Sequence, residues 1–297
     1  MRVVASHGLG NQLFQYVFAH SLIDSNRNVS FENSPIFPQN YHYQLTEIQS
    51  LCHHLSFRKN FTINHNSIFG RSVYKLKISG LMSNYILGVK TSQIIREADL
   101  DKFTFNKDKY LLDGSNIILM GFWQHWGFVE SEIDSAVSEI SKFLQDLPVP
   151  KLLSTTGRKR LVVHVRRGNY LQRGLDQILG VVNPASYRSV IKSLLEKNPG
   201  LEVYTLTDDI DLINNTDYGP LFGHIINPNE VDVWQAIKLM SEADFVLAAN
   251  STLSWWGALL ATMQGGKGFI PSKFHKNIDS GDAFFSPRLQ LYEVEYL

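Results

Sequence analysis

The feature that most constrains the fold is a regular alternation of apolar runs and amphipathic segments between residues 161 and 263. The pattern predicts strands at 161–165, 201–206 and 244–249, with helices at 184–197, at 230–242 and beyond residue 252. Strands that alternate with helices of this length build a parallel sheet. Because ligands of such sheets bind at the carboxyl ends of the strands, the residues that follow each strand are the first candidates for function.

The first half of the chain is less regular. A strand is predicted at 2–5, a helix at 11–23, a second strand at 117–120 and a helix at 129–147, whereas 26–112 has weak periodicity and receives no assignment. Pro-Val-Pro at 148–150 is the best candidate linker. For a chain of 297 residues, the pattern predicts an α/β protein with two domains, 1–150 and 151–297.

Composition and charge exclude several classes of protein. The 28 Lys and Arg residues balance 28 Asp and Glu residues, so the net charge does not favour nucleic acid or an anionic membrane. The only cysteine, Cys52, excludes a disulfide framework, and with His53 and His54 it lacks further ligands at a recognised metal-site spacing. The N-terminal residues do not match a secretory signal, and we expect a cytoplasmic protein.

An uncharged stretch between Asp244 and Lys267 has about the length of a membrane span. It contains several polar residues, and Trp255 and Trp256 lie in its middle, whereas interfacial aromatics mark the ends of a span. We therefore expect a buried strand followed by a buried helix, with at least one of the two Trp side chains in the core.

Two motifs join a strand end to a helix start. Residues 7–12 read His-Gly-Leu-Gly-Asn-Gln, which suits either a phosphate at the helix N-terminus or an ordinary turn; Leu13 at the last glycine position excludes the dinucleotide fingerprint. Residues 250–254 read Asn-Ser-Thr-Leu-Ser, which suits either a bound anion or an ordinary helix cap.

A third motif is basic. From residue 147 to residue 175 the chain has no acid but seven cationic side chains: Lys151, Arg158, Lys159, Arg160, Arg166, Arg167 and Arg173. Seven cations without a counter-charge predict one local positive patch. Arg166 and Arg167 directly follow the strand at 161–165, at the start of a predicted loop, and are expected at the carboxyl edge of the sheet. A solvated basic face is one interpretation. A diphosphate clamp is favoured, because guanidinium groups bind phosphate through two hydrogen bonds.

A fourth motif is acidic. Asp209 and Asp211, like Asp99 and Asp101, form Asp-x-Asp pairs, which hold a divalent cation in metal-dependent glycosyltransferases. Such pairs also arise by chance, and a helix cap formed by Asp208 or Asp209 is the alternative interpretation.

Together these motifs resemble those of the bacterial α-1,2-fucosyltransferases, enzymes of the glycosyltransferase family 11 type that use GDP-fucose. The resemblance is an ordered set that spans nearly the whole chain: residues 8–16, 164–170, 207–209 and 250–256. Each motif alone is modest, whereas four in this order are highly specific.

The resemblance implies a GT-B-like architecture of two Rossmann-type domains with parallel sheets and an interdomain cleft, the N-terminal domain on the acceptor side and the C-terminal domain binding the nucleotide sugar. It implies an inverting transfer of L-fucose from GDP-β-L-fucose to the 2-hydroxyl of galactose, without a cofactor or an obligatory metal. Arg166 is the expected catalytic residue, holding the donor β-phosphate. The further implied donor-binding residues are Gly10, Asn11, His164, Arg167, Asp208, Asn250, Ser251, Thr252 and Ser254.

The implied partners are GDP-fucose and a galactose-terminated oligosaccharide or lipid-linked glycan, such as an O-antigen or capsule precursor. A lipid-linked acceptor would bring the protein into peripheral contact with the cytoplasmic face of the inner membrane. The acceptor hydroxyl must lose a proton, and His7, Asp208 and Asp176 are the candidate bases.

Three positions depart from the family pattern. His7 stands where glycine is usual, and Asn169 stands where aspartate is usual. Ala236 occupies a position at which related enzymes often carry an aspartate thought to read guanine, and Asp232 is the nearest substitute. Ala236 prompts one alternative, a glycosyltransferase of the same architecture with another nucleotide sugar. A second alternative, from a different class, is a non-catalytic carbohydrate- or RNA-binding module that uses residues 158–173.

Overall fold

The computed structural model describes residues 1–23, 28–33, 48, 51, 61–64, 93–97, 105, 117–148, 157–213, 218–227 and 229–297. The chain forms two compact units, Met1–Ile140 and Ser141–Leu297. They divide ten residues before the boundary that the sequence analysis placed after residue 150. The candidates Cys52, His53 and His54 and the pair at 99 and 101 lie outside the described residues, as does most of 26–112.

The N-terminal unit contains a parallel sheet. Its strands are β1 (Arg2–Ala5), β2 (Val29–Asn33), β3 (Phe61–Asn64), β4 (Gln93–Arg96) and β5 (Ile117–Met120), in the spatial order β3-β2-β1-β5-β4. Its described helices are α1 (Leu9–Ser21), α2 (Trp126–Val129) and α3 (Ile133–Asp146), of which α3 runs on into the second unit. A 3₁₀ turn at Glu130–Glu132 interrupts the single helix predicted at 129–147.

The C-terminal unit contains a second parallel sheet. Its strands are β6 (Arg160–Val165), β7 (Glu202–Thr207), β8 (His224–Ile226), β9 (Phe245–Leu247), β10 (Lys267–Pro271) and β11 (Gln290–Tyr292), in the order β11-β10-β9-β6-β7-β8. Its helices are α4 (Gly168–Gln172), α5 (Pro184–Lys197), α6 (Ile210–Ile213), α7 (Val233–Ser241) and α8 (Thr252–Met263). The predicted α/β class, with two Rossmann-type domains of parallel strands, is confirmed.

Local signals explain where the long helices of this unit begin. The Asn183 side chain accepts a hydrogen bond from the Ala185 N–H at 2.9 Å, and Pro184 occupies the first helical position of α5. Asp232 and Gln235 form a reciprocal capping box at the start of α7, so that helix begins at Val233 and not at residue 230.

The uncharged stretch after Asp244 divides into β9, a short turn and α8, as predicted. Both Trp255 and Trp256 are fully buried, and α8 presents apolar residues on nearly every side. Within the described part of the chain, no helix is both long enough and apolar enough to cross a membrane.

The order of the strands determines where a ligand can enter each sheet. In the C-terminal unit the chain proceeds from β6 through β7 to β8, and then returns to the other side of β6 with β9. The direction of winding therefore reverses between β6 and β9, which opens a crevice at their carboxyl ends. In the N-terminal unit the corresponding reversal lies between β1 and β5.

Candidate functional site

Three of the motifs meet at the carboxyl edge of the C-terminal sheet. The last pair in the register of β6 and β7 is Val165 with Thr207, so Arg166 and Asp208 follow neighbouring strand ends. On its other side β6 pairs with β9, which leads to residue 250. The motifs at 164–170, 207–209 and 250–254 are thereby brought to the edge at which the winding reverses.

Asp208 holds the turn that follows β6. Its Oδ1 accepts from the backbone N–H groups of Arg167 at 2.8 Å and Gly168 at 3.0 Å, and its Oδ2 accepts from that of Asn169 at 3.0 Å. The Asp208 carboxylate, which follows β7, therefore binds the backbone that follows the neighbouring strand β6, at the start of α4. Burial acts to raise the pKa of Asp208, but the Arg166 charge and the three backbone N–H groups together lower it below its ordinary value, so the carboxylate is ionised at neutral pH.

Arg166 is bound along one side of its guanidinium. Its Nη1 lies 3.2 Å from Asp208 Oδ2, and the side chain keeps 29% of its surface exposed. With the Asn169 amide oriented by its hydrogen bonds, the Asn169 oxygen accepts from Nη2 at 2.8 Å and from Nη1 at 3.2 Å. The guanidinium carbon also lies 5.8 Å from the centre of the Tyr170 ring. Arg166 is thus held in one orientation and remains accessible.

His164 contributes a neutral imidazole to the same edge. The residue is 5% exposed, and its Nδ1 has no hydrogen-bond partner among the described residues. Burial and the nearby Arg166 charge lower the pKa of His164 to about 4, although the Asp208 charge acts to raise it. At neutral pH the unpartnered Nδ1 can therefore accept or donate one hydrogen bond, according to the tautomer.

Asn250 connects the end of β9 to the segment that precedes α5. Its Nδ2 donates to the carbonyl oxygens of Leu179 at 2.9 Å and Gly180 at 3.1 Å, and its own carbonyl accepts from the Tyr170 hydroxyl at 2.8 Å. Its Oδ1 is buried and has no partner among the described residues, like the Nε of Arg167. Buried polar atoms without partners are rare in folded proteins, so the two at this edge suit a polar ligand.

The remaining residues of the 250–254 motif have different positions. The Ser254 hydroxyl is buried and donates to the carbonyls of Ser251 at 3.1 Å and Ala249 at 3.3 Å. Ser251 is the N-cap of α8, yet its side chain makes no capping hydrogen bond. Ser251 and Thr252 are partly exposed at the positive end of a twelve-residue helix, which suits an anion.

The basic run does not form the single patch that the sequence analysis expected. Arg158 and Arg160 precede or begin β6, whereas Arg166 follows it, which separates them by roughly 20 Å at the ordinary rise of a strand. Arg160 donates to the Glu242 carbonyl at 2.8 Å, at the amino edge of the sheet. The prediction of cations without a counter-charge was wrong for Arg166, because a parallel strand places Asp208 beside it. Lys151 lies outside the described residues.

The acidic pair has no geometry of a metal site. Asp209 donates its backbone N–H to the Thr207 hydroxyl at 3.0 Å, and Asp211 is exposed in the first turn of α6. Among the described residues no group of three or more His, Cys, Asp or Glu side chains could hold a metal ion.

In the N-terminal unit, the turn after β1 is held by two buried glutamines. Gln15 accepts from the Ser6 N–H at 2.8 Å and donates to the Gly121 carbonyl at 2.8 Å, while Gln12 donates to the His7 carbonyl at 2.6 Å. His7 has a φ of +67° and packs against Phe122, with ring centroids 4.6 Å apart. This left-handed backbone explains why glycine suits the position at which this chain has histidine.

The two candidates predicted in this turn lie at the start of α1. The helix begins at Leu9 and not at the predicted residue 11, so Gly10 belongs to its first turn, where it is buried. Asn11 accepts a hydrogen bond from the Gln124 side chain at 2.6 Å through its Oδ1. Their role toward a donor stays a prediction.

Sequence reasoning missed two features of the C-terminal site. It expected a loop after β6, where the structure has α4, and it gave no role to Tyr170. The glycine directly after Arg167 was the available sequence signal. In the structure a Cβ at Gly168 would lie 2.7 Å from the Asp208 carbonyl oxygen, so only glycine permits this approach of the two strand ends.

Comparison with known proteins gives one family. The family described as Glycosyl transferase family 11 matches residues 1–281. The chain is 24% identical over 284 residues to the O-antigen biosynthesis glycosyltransferase WbnK of Escherichia coli, covering 87% of this chain and 89% of that one. It is 25% identical over 285 residues to an alpha-1,2-colitosyltransferase of Escherichia coli, covering 89% of each.

Among solved structures, the E. coli ADP-heptose LPS heptosyltransferase II aligns with a TM-score of 0.46 at 10% identity, covering 98% of this chain and 89% of that one.

Proposed function

The chain belongs to glycosyl transferase family 11 and is a glycosyltransferase, and on that premise we propose that it transfers L-fucose from GDP-β-L-fucose to the 2-hydroxyl of a galactose residue. The acceptor is a galactose-terminated glycan such as a lipid-linked O-antigen or capsule precursor. Catalysis takes place on the cytoplasmic side, in peripheral contact with the inner membrane where the acceptor is lipid-linked.

The observation that carries the proposal is the accessible guanidinium of Arg166 at the point where the sheet winding reverses. Around it lie polar atoms without partners among the described residues, on His164, Arg167 and Asn250. A cation held by fixed partners, at the same edge of the sheet as the N-terminus of α8, supports binding of a diphosphate.

These groups support the following chemistry. The bond between fucose C1 and the β-phosphate oxygen breaks, and its electron pair leaves with GDP. The acceptor oxygen forms a new bond to C1 from the opposite face, which inverts the configuration, and its proton passes to a base. Arg166 stabilises the charge that develops on the leaving β-phosphate, with Arg167 as a second cation, so we propose that the transfer needs no metal.

Asp208 is a weak candidate for that base. Its two carboxylate oxygens already accept from three backbone N–H groups and lie beside Arg166, and its pKa is lowered. A base must take up a proton in the transition state, which this environment opposes. His7 and Asp176 stay as candidates.

One alternative is a nucleotide sugar other than GDP-fucose. Asp232, the nearest substitute for the acid missing at Ala236, is exposed and accepts from the Gln235 N–H at 2.8 Å as the cap of α7. Moreover, one of the relatives is named as a colitosyltransferase. A donor panel that includes a colitosyl donor and UDP-sugars distinguishes these activities.

The test is release of GDP from GDP-fucose with galactosyl acceptors, with and without EDTA, by wild type, Arg166→Lys and the control Arg158→Lys. We expect release that depends on the acceptor, resists EDTA and falls about 100-fold in Arg166→Lys, since lysine cannot form the two-pronged contact. Arg158 is exposed at the other edge of the sheet, so its variant should match wild type.

Two results would contradict the proposal. A clear preference for a different donor would overturn the assignment of GDP-fucose and leave the family membership intact. Loss of activity in EDTA would overturn the metal-free mechanism and return attention to Asp209 and Asp211.

A further inference from the structure

We infer that Asn169 and Asp208 are positioning residues that hold the Nη1–Nη2 edge of the Arg166 guanidinium, so that the adjacent edge, Nε with Nη2, is fixed for two oxygens of the donor phosphate. The inference rests on the proposed function for the identity of the ligand. It assigns both residues a role behind the arginine and not in contact with the nucleotide sugar.

The geometry of the guanidinium carries the first step. An oxygen that accepts from both Nη atoms, as that of Asn169 does at 2.8 and 3.2 Å, lies at the edge between them. Asp208 occupies Nη1 as well, at 3.2 Å. A guanidinium has five N–H groups in a planar fork. Two of them, on Nε and on the outer side of Nη2, take part in no hydrogen bond among the described residues, and they are parallel donors of the kind that phosphate accepts.

Both partners of Arg166, Asp208 and Asn169, are themselves fixed. The Asp208 carboxylate is bound by the N–H groups of Arg167, Gly168 and Asn169, at 2.8 to 3.0 Å. The backbone N–H of Asn169 thus donates to the same Asp208 carboxylate that binds Arg166, while the Asn169 side chain accepts from Arg166 directly. The three side chains form a closed set that cannot turn independently, which pre-organises the arginine before a ligand arrives.

Asn169 and Asp208 differ in the charge that they bring to Arg166. Asp208 is the one carboxylate bonded to Arg166 in the described part of the chain, whereas Asn169 supplies its acceptor oxygen without a charge. An aspartate at 169 would orient the guanidinium equally well, but because Asp208 already offsets the Arg166 charge, it would leave the three side chains with a net negative charge. The Asn169 amide therefore orients the guanidinium without adding a negative charge, which favours a strongly anionic ligand at the Nε–Nη2 edge of Arg166.

The experiment separates these two contributions at residue 169. Asn169→Ala removes the acceptor, Asn169→Asp restores it with a negative charge, and Gln172→Ala is the control, because it removes an exposed amide from the same helix. The measurements are kcat and KM for GDP release from GDP-fucose, the Kd for inorganic pyrophosphate by calorimetry, and the melting temperature of each variant.

We expect kcat to fall about 30- to 100-fold in Asn169→Ala, because the guanidinium is no longer aligned with the leaving phosphate. In Asn169→Asp we expect kcat to recover to within about fivefold of wild type, while the Kd for pyrophosphate rises about tenfold through repulsion. The control should match wild type in both. Asp208→Asn should lose kcat as well, and Asn169→Ala keeps the test valid if that variant fails to fold.

The inference is overturned if Asn169→Ala keeps wild-type kcat and pyrophosphate affinity, or if Asn169→Asp is as slow as Asn169→Ala. Failure of the proposed function has a different signature. Wild type would then release no GDP from GDP-fucose, while weaker pyrophosphate binding by Asn169→Ala than by wild type and Gln172→Ala would still support the orientation of Arg166 by residue 169, and equal binding would overturn it.

Discussion

Replacement of His164 by glutamine should remove much of the acid sensitivity of the C-terminal unit. Burial and the Arg166 charge lower the pKa of this imidazole from 6.5 to about 4 in the folded protein. The unfolded chain therefore takes up a proton at a pH where the folded protein does not. For a base with a lowered pKa, the folded state is fully favoured above the unfolded pKa and loses free energy as the pH falls from about 6.5 toward 4.

The size of the effect follows from the two pKa values. At pH 7 both states are largely deprotonated, and the contribution is small. At pH 5 the unfolded imidazole is protonated and the folded one is still mostly neutral, so wild type should lose about 2 kcal/mol between pH 7 and pH 5 from this residue alone. Glutamine keeps a polar side chain but does not titrate, and the variant should lack this loss.

Urea unfolding at pH 7, 6 and 5, followed by tryptophan fluorescence, measures the difference, because Trp255 and Trp256 are buried in the same unit. His275 supplies a matched comparison: burial lowers its pKa to about 4 as well, so His275→Gln should remove a loss of similar size and the double variant should remove both. If His164→Gln keeps the wild-type dependence on pH, the conclusion that His164 is buried as a neutral ring is wrong.

Three further substitutions test a close backbone approach, a buried ammonium and a left-handed backbone position at separate places in the chain. Gly168→Ala should lower stability by about 1–3 kcal/mol and reduce GDP release, since the new Cβ would lie 2.7 Å from the Asp208 carbonyl oxygen; calorimetric melting and the release assay check both. Lys238→Met should cost about 3 kcal/mol in urea unfolding, because the buried ammonium donates to two carbonyls at the end of α3, both at 2.7 Å, whereas the exposed Lys142→Met should cost little. His7→Gly should be more stable than His7→Ala by about 1 kcal/mol, as only glycine adopts a φ of +67° without strain; equal melting temperatures would contradict this.

Three strands (β6, β7 and β9) and three long helices (α5, α7 and α8) of the C-terminal half could be read from the sequence, because each signal is local, whereas β8, β10, β11 and the short helices α4 and α6 were not predicted. Apolar runs, the Asn183–Pro184 start of α5 and the acid-capped start of α7 depend on residues a few positions apart. Once these strands were predicted, the motifs that follow them could be placed at the carboxyl edge of the sheet. The first half gave fewer elements, since weak periodicity over 26–112 offers no such local signal.

What the sequence determined by itself is the fold class and the list of polar groups at strand ends, since both follow from periodicity along the chain. Only the tertiary structure decided which of these groups meet. Asp208 lies 42 residues beyond Arg166 and reaches it because β7 pairs beside β6. The same sheet separates Arg158 and Arg160 from Arg166, although they are close in the sequence. Contacts between strands depend on sheet order and register, and these are set by pairing between distant segments.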